Sequence, residues 1–171
     1  MKVSGLKNRP VVSMADGTRV GEVQDALIEC AGLRVSALLI DTPSGQFAIR
    51  FGSIKRIGAD AVTLDQAANA LEPQDNLKME TQREFAQLRG LQVVNAEGTV
   101  LGDLRDVDLD LESGQVAEIE VHRGGLFGVG GASLNIPGAQ LRSLGPDFVT
   151  TTLATPEPAP ATPPSDPVSQ D

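Results

Sequence analysis

The chain contains itself twice, and no other feature of it constrains the fold as strongly. Gly17-Thr18-Arg19-Val20-Gly21-Glu22-Val23-Gln24-Asp25 recurs 81 residues later as Gly98-Thr99-Val100-Leu101-Gly102-Asp103-Leu104-Arg105-Asp106. Four of these nine pairs are identical and three more are exchanged like for like. Residues 6–12 return as 88–94 at an offset of 82, so one residue is lost before the Gly-Thr turn. Residues 35–40 return as 116–121 at 81, and 57–63 return as 144–150 at 87. The second copy therefore carries six extra residues, which fall in the Gly-rich stretch 124–133. Four collinear blocks make a duplication, and whatever one copy folds into, the other must fold into as well.

Each copy reads as β. Asp16-Gly17 and Glu97-Gly98 sit between apolar runs, where a two-residue turn at positive φ would close a hairpin. Gly21 and Gly102 interrupt the next strand and predict a bulge or a barrel corner. Leu38-Leu39-Ile40 is apolar without a break, which predicts a strand covered on both faces. Residues 106–112 alternate instead, with Val107, Leu109 and Leu111 against Asp106, Asp108, Asp110 and Glu112, and so predict one buried and one wet face. Strands this short, spaced about ten residues apart, point to a small barrel or sandwich. Between the copies, residues 66–71 predict a short helix stopped by Pro73. Thr81-Gln82-Arg83-Glu84 reads as a capping box opening a second helix through Phe85 and Leu88. Past Leu153 the chain holds six of its eleven prolines, a composition that stays extended or disordered.

Composition removes whole classes of function. Fourteen Lys and Arg face 23 Asp and Glu, a net charge of −9, which opposes binding to a phosphate backbone or an anionic lipid surface. No Trp or Tyr is present to stack on bases or sugars. A single cysteine, Cys30, excludes an internal disulfide and a cysteine-based zinc site, and a single histidine, His122, leaves little for a histidine-dependent triad. With no 18-residue apolar run and no basic-plus-apolar leader, the expectation is a cytoplasmic protein that neither spans a membrane nor is exported.

The chemistry-bearing motifs are few. Asp106, Asp108, Asp110 and Glu112 suggest a divalent-cation loop, but an EF-hand counted from Asp106 needs Gly at its sixth position and Glu at its twelfth, where Leu111 and Ala117 stand. These four carboxylates are the only metal candidates, and a solvated strand face is the simpler reading. The run Gly124-Gly125-Leu126-Phe127-Gly128-Val129-Gly130-Gly131 lacks the Gly-Lys-Ser/Thr ending of a phosphate loop and has no helix behind it. Displayed at a loop tip, Leu126 and Phe127 would form an apolar contact patch for a protein partner. Cys30 reads as a small apolar filler, and Arg50, Lys55 and Arg56 as a solvated cationic cluster.

Taken in order, these blocks resemble the PRC-barrel family. The likeness rests on the start at residues 6–12 and 88–94 and on the (Asp/Glu)-Gly-Thr-x-(Val/Leu)-Gly-(Glu/Asp)-(Val/Leu)-x-Asp motif. It rests also on Gly124-Gly125-Leu126-Phe127-Gly128, Leu134-Asn135-Ile136-Pro137 and the ending Leu141-x-x-Leu144-Gly145-x-Asp147-x-Val149. The resemblance implies an all-β fold of two small β-barrels in tandem. They would occupy residues 1–65 and 86–153, with a partly helical connector at 66–85 and a disordered Pro-rich tail at 154–171. It implies a docking or assembly module akin to the barrels of the photosynthetic reaction-centre H subunit and the ribosome-maturation factor, with no catalytic residues and no cofactor. The expected partner is a protein, met by the intact chain as a homodimer or as an intramolecular pseudo-dimer of its two barrels. A ribosome- or RNA-linked maturation role and a divalent-metal-responsive module are the alternatives.

Overall fold

The computed structural model describes residues 1–124 and 131–155. In the first copy, β1 (Pro10–Ser13), β2 (Arg19–Glu29), β3 (Arg34–Thr42) and β4 (Gly45–Arg50) form an antiparallel meander. The hairpin of β5 (Arg56–Ile57) and β6 (Val62–Leu64) then brings β6 back parallel to β1. Next come β7 (Leu71–Pro73), β8 (Gln82–Glu84) and the single helical turn α1 (Phe85–Leu88). The second copy repeats the plan. An antiparallel run of β9 (Gln92–Asn95), β10 (Val100–Leu109), β11 (Val116–Arg123) and β12 (Ala132–Pro137) is followed by the hairpin of β13 (Leu141–Leu144) and β14 (Phe148–Thr151), with β14 parallel to β9. The all-β reading of the sequence is the observed one: two small barrel-like sheets with almost no helix.

Where the offset between the copies changes, the structure shows a loop. The step from 82 to 81 falls between β1 and β2, joined by five residues in the first copy, and between β9 and β10, joined by four in the second. The two-residue turns expected there are thus longer, although Gly17 and Gly98 do take the positive φ their position requires, +69° and +79°. The step from 81 to 87 lies between β11 and β12. Both predicted bulges are present. Val11 pairs with Gly21 and Val12 with Arg19, leaving Val20 over, and Val94 pairs with Val100 while Val93 pairs with Gly102. Glycine is needed at both sites because the next strand passes so close: a Cβ on Gly102 would lie 2.5 Å from the carbonyl oxygen of His122, and one on Gly21 would overlap that of Asp41.

The segment between the copies is more extended than its composition suggests. Of the helix predicted over 66–71 only a 3-10 turn, Ala67–Asn69, forms. Pro73 disfavours the helical region at Glu72, and the open edge of β4 offers a ladder instead, which β7 takes. Likewise Gln82–Glu84 pairs with β2 as β8, which moves the capping box three residues along. Glu84, not Thr81, caps α1, and its N–H donates to Oε1 of Gln87 at 3.1 Å.

One apolar core runs through both copies, joining Leu38, Ile40 and Ile49 of the first to Leu104, Ile119 and Ile136 of the second. On the outer face of the first sheet, Leu27, Ala37, Leu39 and Ala48 form a second, smaller cluster under Leu77. That cluster is why Leu38, Leu39 and Ile40 are all buried, as their unbroken apolar run requires. Among the described residues no helix is long and apolar enough to cross a membrane.

Candidate functional site

The aspartate that ends each copy of the repeated motif fastens that copy to the other one. Asp25 accepts the N–H of its neighbour Ala26 at 2.8 Å and, across the copies, the N–H of Ala86 in α1 at 3.1 Å. Asp106 accepts the N–H of Val107 at 2.9 Å and, across the copies, the N–H of Ser4 at 3.1 Å together with the Ser4 hydroxyl. Ser4 lies in the 3-10 turn Val3–Leu6, which is the counterpart of α1 at an offset of 82. Each carboxylate thus holds the first turn of the opposite copy, satisfying donors that a helix start leaves without partners.

The hairpin tips are exchanged in the same way. The N–H of Val35 donates to the carbonyl of Gly114 and that of Val116 to the carbonyl of Leu33, both at 2.8 Å, with Arg34 opposite Gln115. These three pairs map onto themselves when the copies are swapped, so a pseudo-two-fold axis passes through them. Leu33 and Gly114 occupy equivalent places and both take positive φ, +49° and +75°. Asn8 and Gly90 do likewise at +66° and +90°, with N–H bonds of 2.8 Å to Val23 and Leu104 respectively.

Beside this interlock the two first turns enclose a cleft of about 330 Å³. Its floor is apolar, made of Val3, Leu6, Val23 and Phe85, all buried. At its rim stand Lys7 and Arg89, again equivalent positions at an offset of 82, and neither forms an ion pair among the described residues. The Asp25 carboxylate also lines it. Burial holds the Asp25 carboxyl above the usual carboxylate range, against the pull of the two N–H donors and of Lys7. An apolar floor with a few convergent charges is the usual make-up of a binding cleft, and this one requires both copies. Sequence reasoning missed it because Lys7 and Arg89, although inside the repeated blocks 6–12 and 88–94, belong to no chemistry-bearing motif, and Phe85 read only as a helix residue. The equivalence of Lys7 and Arg89 under the repeat was the available signal.

A second hollow, about 490 Å³, lies between residues 51–57 of the first copy and Leu111 and Glu112 of the second. Lys55 and Arg56 of the cationic cluster line it, and two of that cluster's three cations are paired. Arg50 makes a two-pronged pair with Glu72 at 2.7 and 3.1 Å, which raises its pKa, and Lys55 meets Asp65 at 2.6 Å.

The acidic run of 106–112 is not the evenly solvated face its alternation predicts. Asp106 is buried in the tie to Ser4, and Leu111 is exposed beyond the end of β10. Asp108 sits 3.2 Å from the amino group of Met1. Asp110 accepts N–H bonds from Ser113 and Glu112 at 2.9 Å, which hold its pKa below the usual range, and Glu112 is exposed in the turn. The structure brings no three such ligands together among the described residues. Leu126 and Phe127, the expected partner contacts, lie outside the described residues, as does the tail from residue 156. Cys30 is half-buried against the core, and burial raises its thiol pKa, in keeping with a filler. His122 is half-buried on β11, opposite Asp103 and Ser133.

Compared with known families, the chain matches the PRC-barrel domain over residues 1–71 and again over 80–153. No curated protein sequence matches it.

Proposed function

The chain belongs to the PRC-barrel family, and from that premise we propose that it is a non-enzymatic interaction and assembly module that docks on a protein partner. The observation that carries this reading is the cleft between the first turns of the two copies. It offers an apolar floor of Val3, Leu6, Val23 and Phe85 between the cations Lys7 and Arg89, in a chain of net charge −9. Two cations that form no ion pair among the described residues, flanking apolar surface, suit a partner segment that carries a carboxylate beside an apolar side chain. Both copies build the cleft, so duplication within one chain keeps its two walls at a fixed distance. Leu126 and Phe127 supply a second contact in this proposal, on the connection where the two copies differ most in length.

The test is affinity capture from the host lysate with three forms: the intact chain, Lys7→Glu/Arg89→Glu, and Leu126→Asp/Phe127→Asp. One protein enriched by the intact chain and lost with the cleft variant supports the reading. Equal capture by all three forms would overturn the assignment of both contacts. Enrichment of ribosomal proteins would turn the reading toward RNA-linked maturation.

A further inference from the structure

The two aspartate ties are equivalent in position but unequal in the donors they meet. At Asp106, Oδ1 accepts the N–H groups of Val107 and Ser4 at 2.9 and 3.1 Å, and Oδ2 accepts the Ser4 hydroxyl. At Asp25 the place of Ser4 is held by Ala86, its counterpart at an offset of 82, and a methyl group has no proton to donate. The two N–H bonds there are divided between the oxygens: Oδ1 accepts from Ala26 at 2.8 Å and Oδ2 from Ala86 at 3.1 Å. A carboxylate oxygen can accept two hydrogen bonds, so each oxygen of Asp25 has acceptor capacity to spare. Asp25 and Ala86 both line the cleft. We propose, resting on the docking role assigned to that cleft, that its occupant is a partner segment whose serine or threonine hydroxyl donates to Asp25 as Ser4 donates to Asp106.

Access favours Asp25 over its counterpart. Asp106 is only 6% exposed and is covered by its own chain, whereas Asp25 is half-buried and is reached from the cleft. Charge then selects among donors. A lysine or arginine of a partner would meet Lys7 and Arg89 at the rim, and like charges repel. A hydroxyl brings no charge, and the fold already seats one on the equivalent carboxylate. Volume sets the size of the occupant. At about 330 Å³ the cleft lies at the small end of ligand pockets, which suits two or three consecutive side chains of an extended segment. An apolar side chain would rest on the floor of Val3, Leu6, Val23 and Phe85, with the hydroxyl beside it on Asp25 and a carboxylate toward Lys7 and Arg89.

Two measurements on the full chain test this. The first needs no ligand. Ala86→Ser puts a hydroxyl on α1 where the opposite turn has that of Ser4. The Asp25 carboxyl, followed by carbon NMR through a pH titration, is then expected to titrate lower than in the wild type, because a donor to the charged form favours it. An unchanged titration would overturn the proposal, since Asp25 would have no acceptor to give at that place.

The second uses two probes with a free C-terminal carboxylate, acetyl-Ser-Leu and acetyl-Ala-Leu, titrated against the amides of the cleft by NMR. The seryl peptide is expected to bind about fivefold or more tighter than the alanyl peptide. Ala86→Ser, which fills the acceptor from within, should remove that advantage. Equal affinity of the two peptides for the wild type would overturn the hydroxyl assignment and leave the docking role standing. Binding of neither peptide, or binding that Lys7→Glu/Arg89→Glu does not weaken, would overturn the docking role and the hydroxyl with it.

Discussion

The outer faces of the two sheets occupy equivalent positions and have opposite chemistry. On the first, Leu27, Ala37, Leu39 and Ala48 form a dry patch under Leu77. On the second, the register places Asp108, Glu118, Glu120 and Asn135 at the same sites, with Lys2 paired to Glu120 and the Met1 amino group beside Asp108. The first sheet became two-sided because the chain between the copies returns to cover it. The second kept a single buried face and solvates the other with charge. One barrel plan therefore tolerates both solutions, provided the inward-facing residues and the Gly-Thr, glycine and aspartate positions of the motif are held.

That contrast can be broken by exchanging the two chemistries. Leu39→Glu places a carboxylate under Leu77 and is expected to cost more than about 3 kcal/mol, read as a collapse of the urea midpoint. The reverse change, Glu120→Leu, should leave the midpoint nearly unmoved while exposing apolar surface, so that sedimentation detects self-association. Similar losses from both would show that the two faces are equally buried.

Leu77→Ala sharpens the same comparison by uncovering the patch without adding charge. A loss of about 2–4 kcal/mol is expected at a side chain only 4% exposed. No loss would mean that the connector rests on the sheet without stabilising it.

The ties between copies come next. Asp106→Ala removes a buried acceptor of two N–H groups and a hydroxyl and should cost about 2–3 kcal/mol. Its counterpart Asp25→Ala should cost less, since that carboxylate is only half-buried and its ionised form is already disfavoured. A larger loss at Asp25 would reverse the ranking of the two ties.

Asp25 also carries a sign that pH can read. Its folded pKa is raised, so the folded state holds the proton to higher pH than the unfolded chain does. What it contributes to stability is therefore greatest below the usual carboxylate range and declines as pH rises through it. The gap between the wild type and Asp25→Ala should be wider at about pH 4 than at about pH 7 in parallel urea titrations. A gap that widens with pH would contradict this.

The smallest effect belongs to Lys2→Ala. It removes an ion pair on the wet face of the second sheet, and screening there should leave the urea midpoint barely changed at 0.15 M salt or above, where the Debye length is about 8 Å. A clear shift would mark that face as less solvated than the comparison requires.

Much of the fold is legible in the sequence. The offsets 81, 82 and 87 located the two loops of unequal length, Gly21 and Gly102 marked real bulges, and Leu38-Leu39-Ile40 marked the strand with two dry faces. The candidate site was far less visible. Asp25 and Asp106 stood out as repeated letters, yet their partners Ala86 and Ser4 lie 61 and 102 residues away, and no local pattern encodes such a pairing. The alternation of 106–112 misled for a related reason: period two tells which residues share a face, but not what covers that face.

The sequence by itself determined that there are two copies, that each is a small β-barrel of the PRC type, and where their turns and bulges fall. These are short-range consequences of strand period, glycine conformation and turn chemistry. Only the tertiary structure decided that residues 71–73 and 82–84 are strands, that each copy's aspartate holds the other's first turn, and that Lys7 and Arg89 meet across one cleft. Those outcomes depend on which unsatisfied edges and donors come within reach once two cores merge into one. That is a property of the packed pair, which neither repeat carries alone.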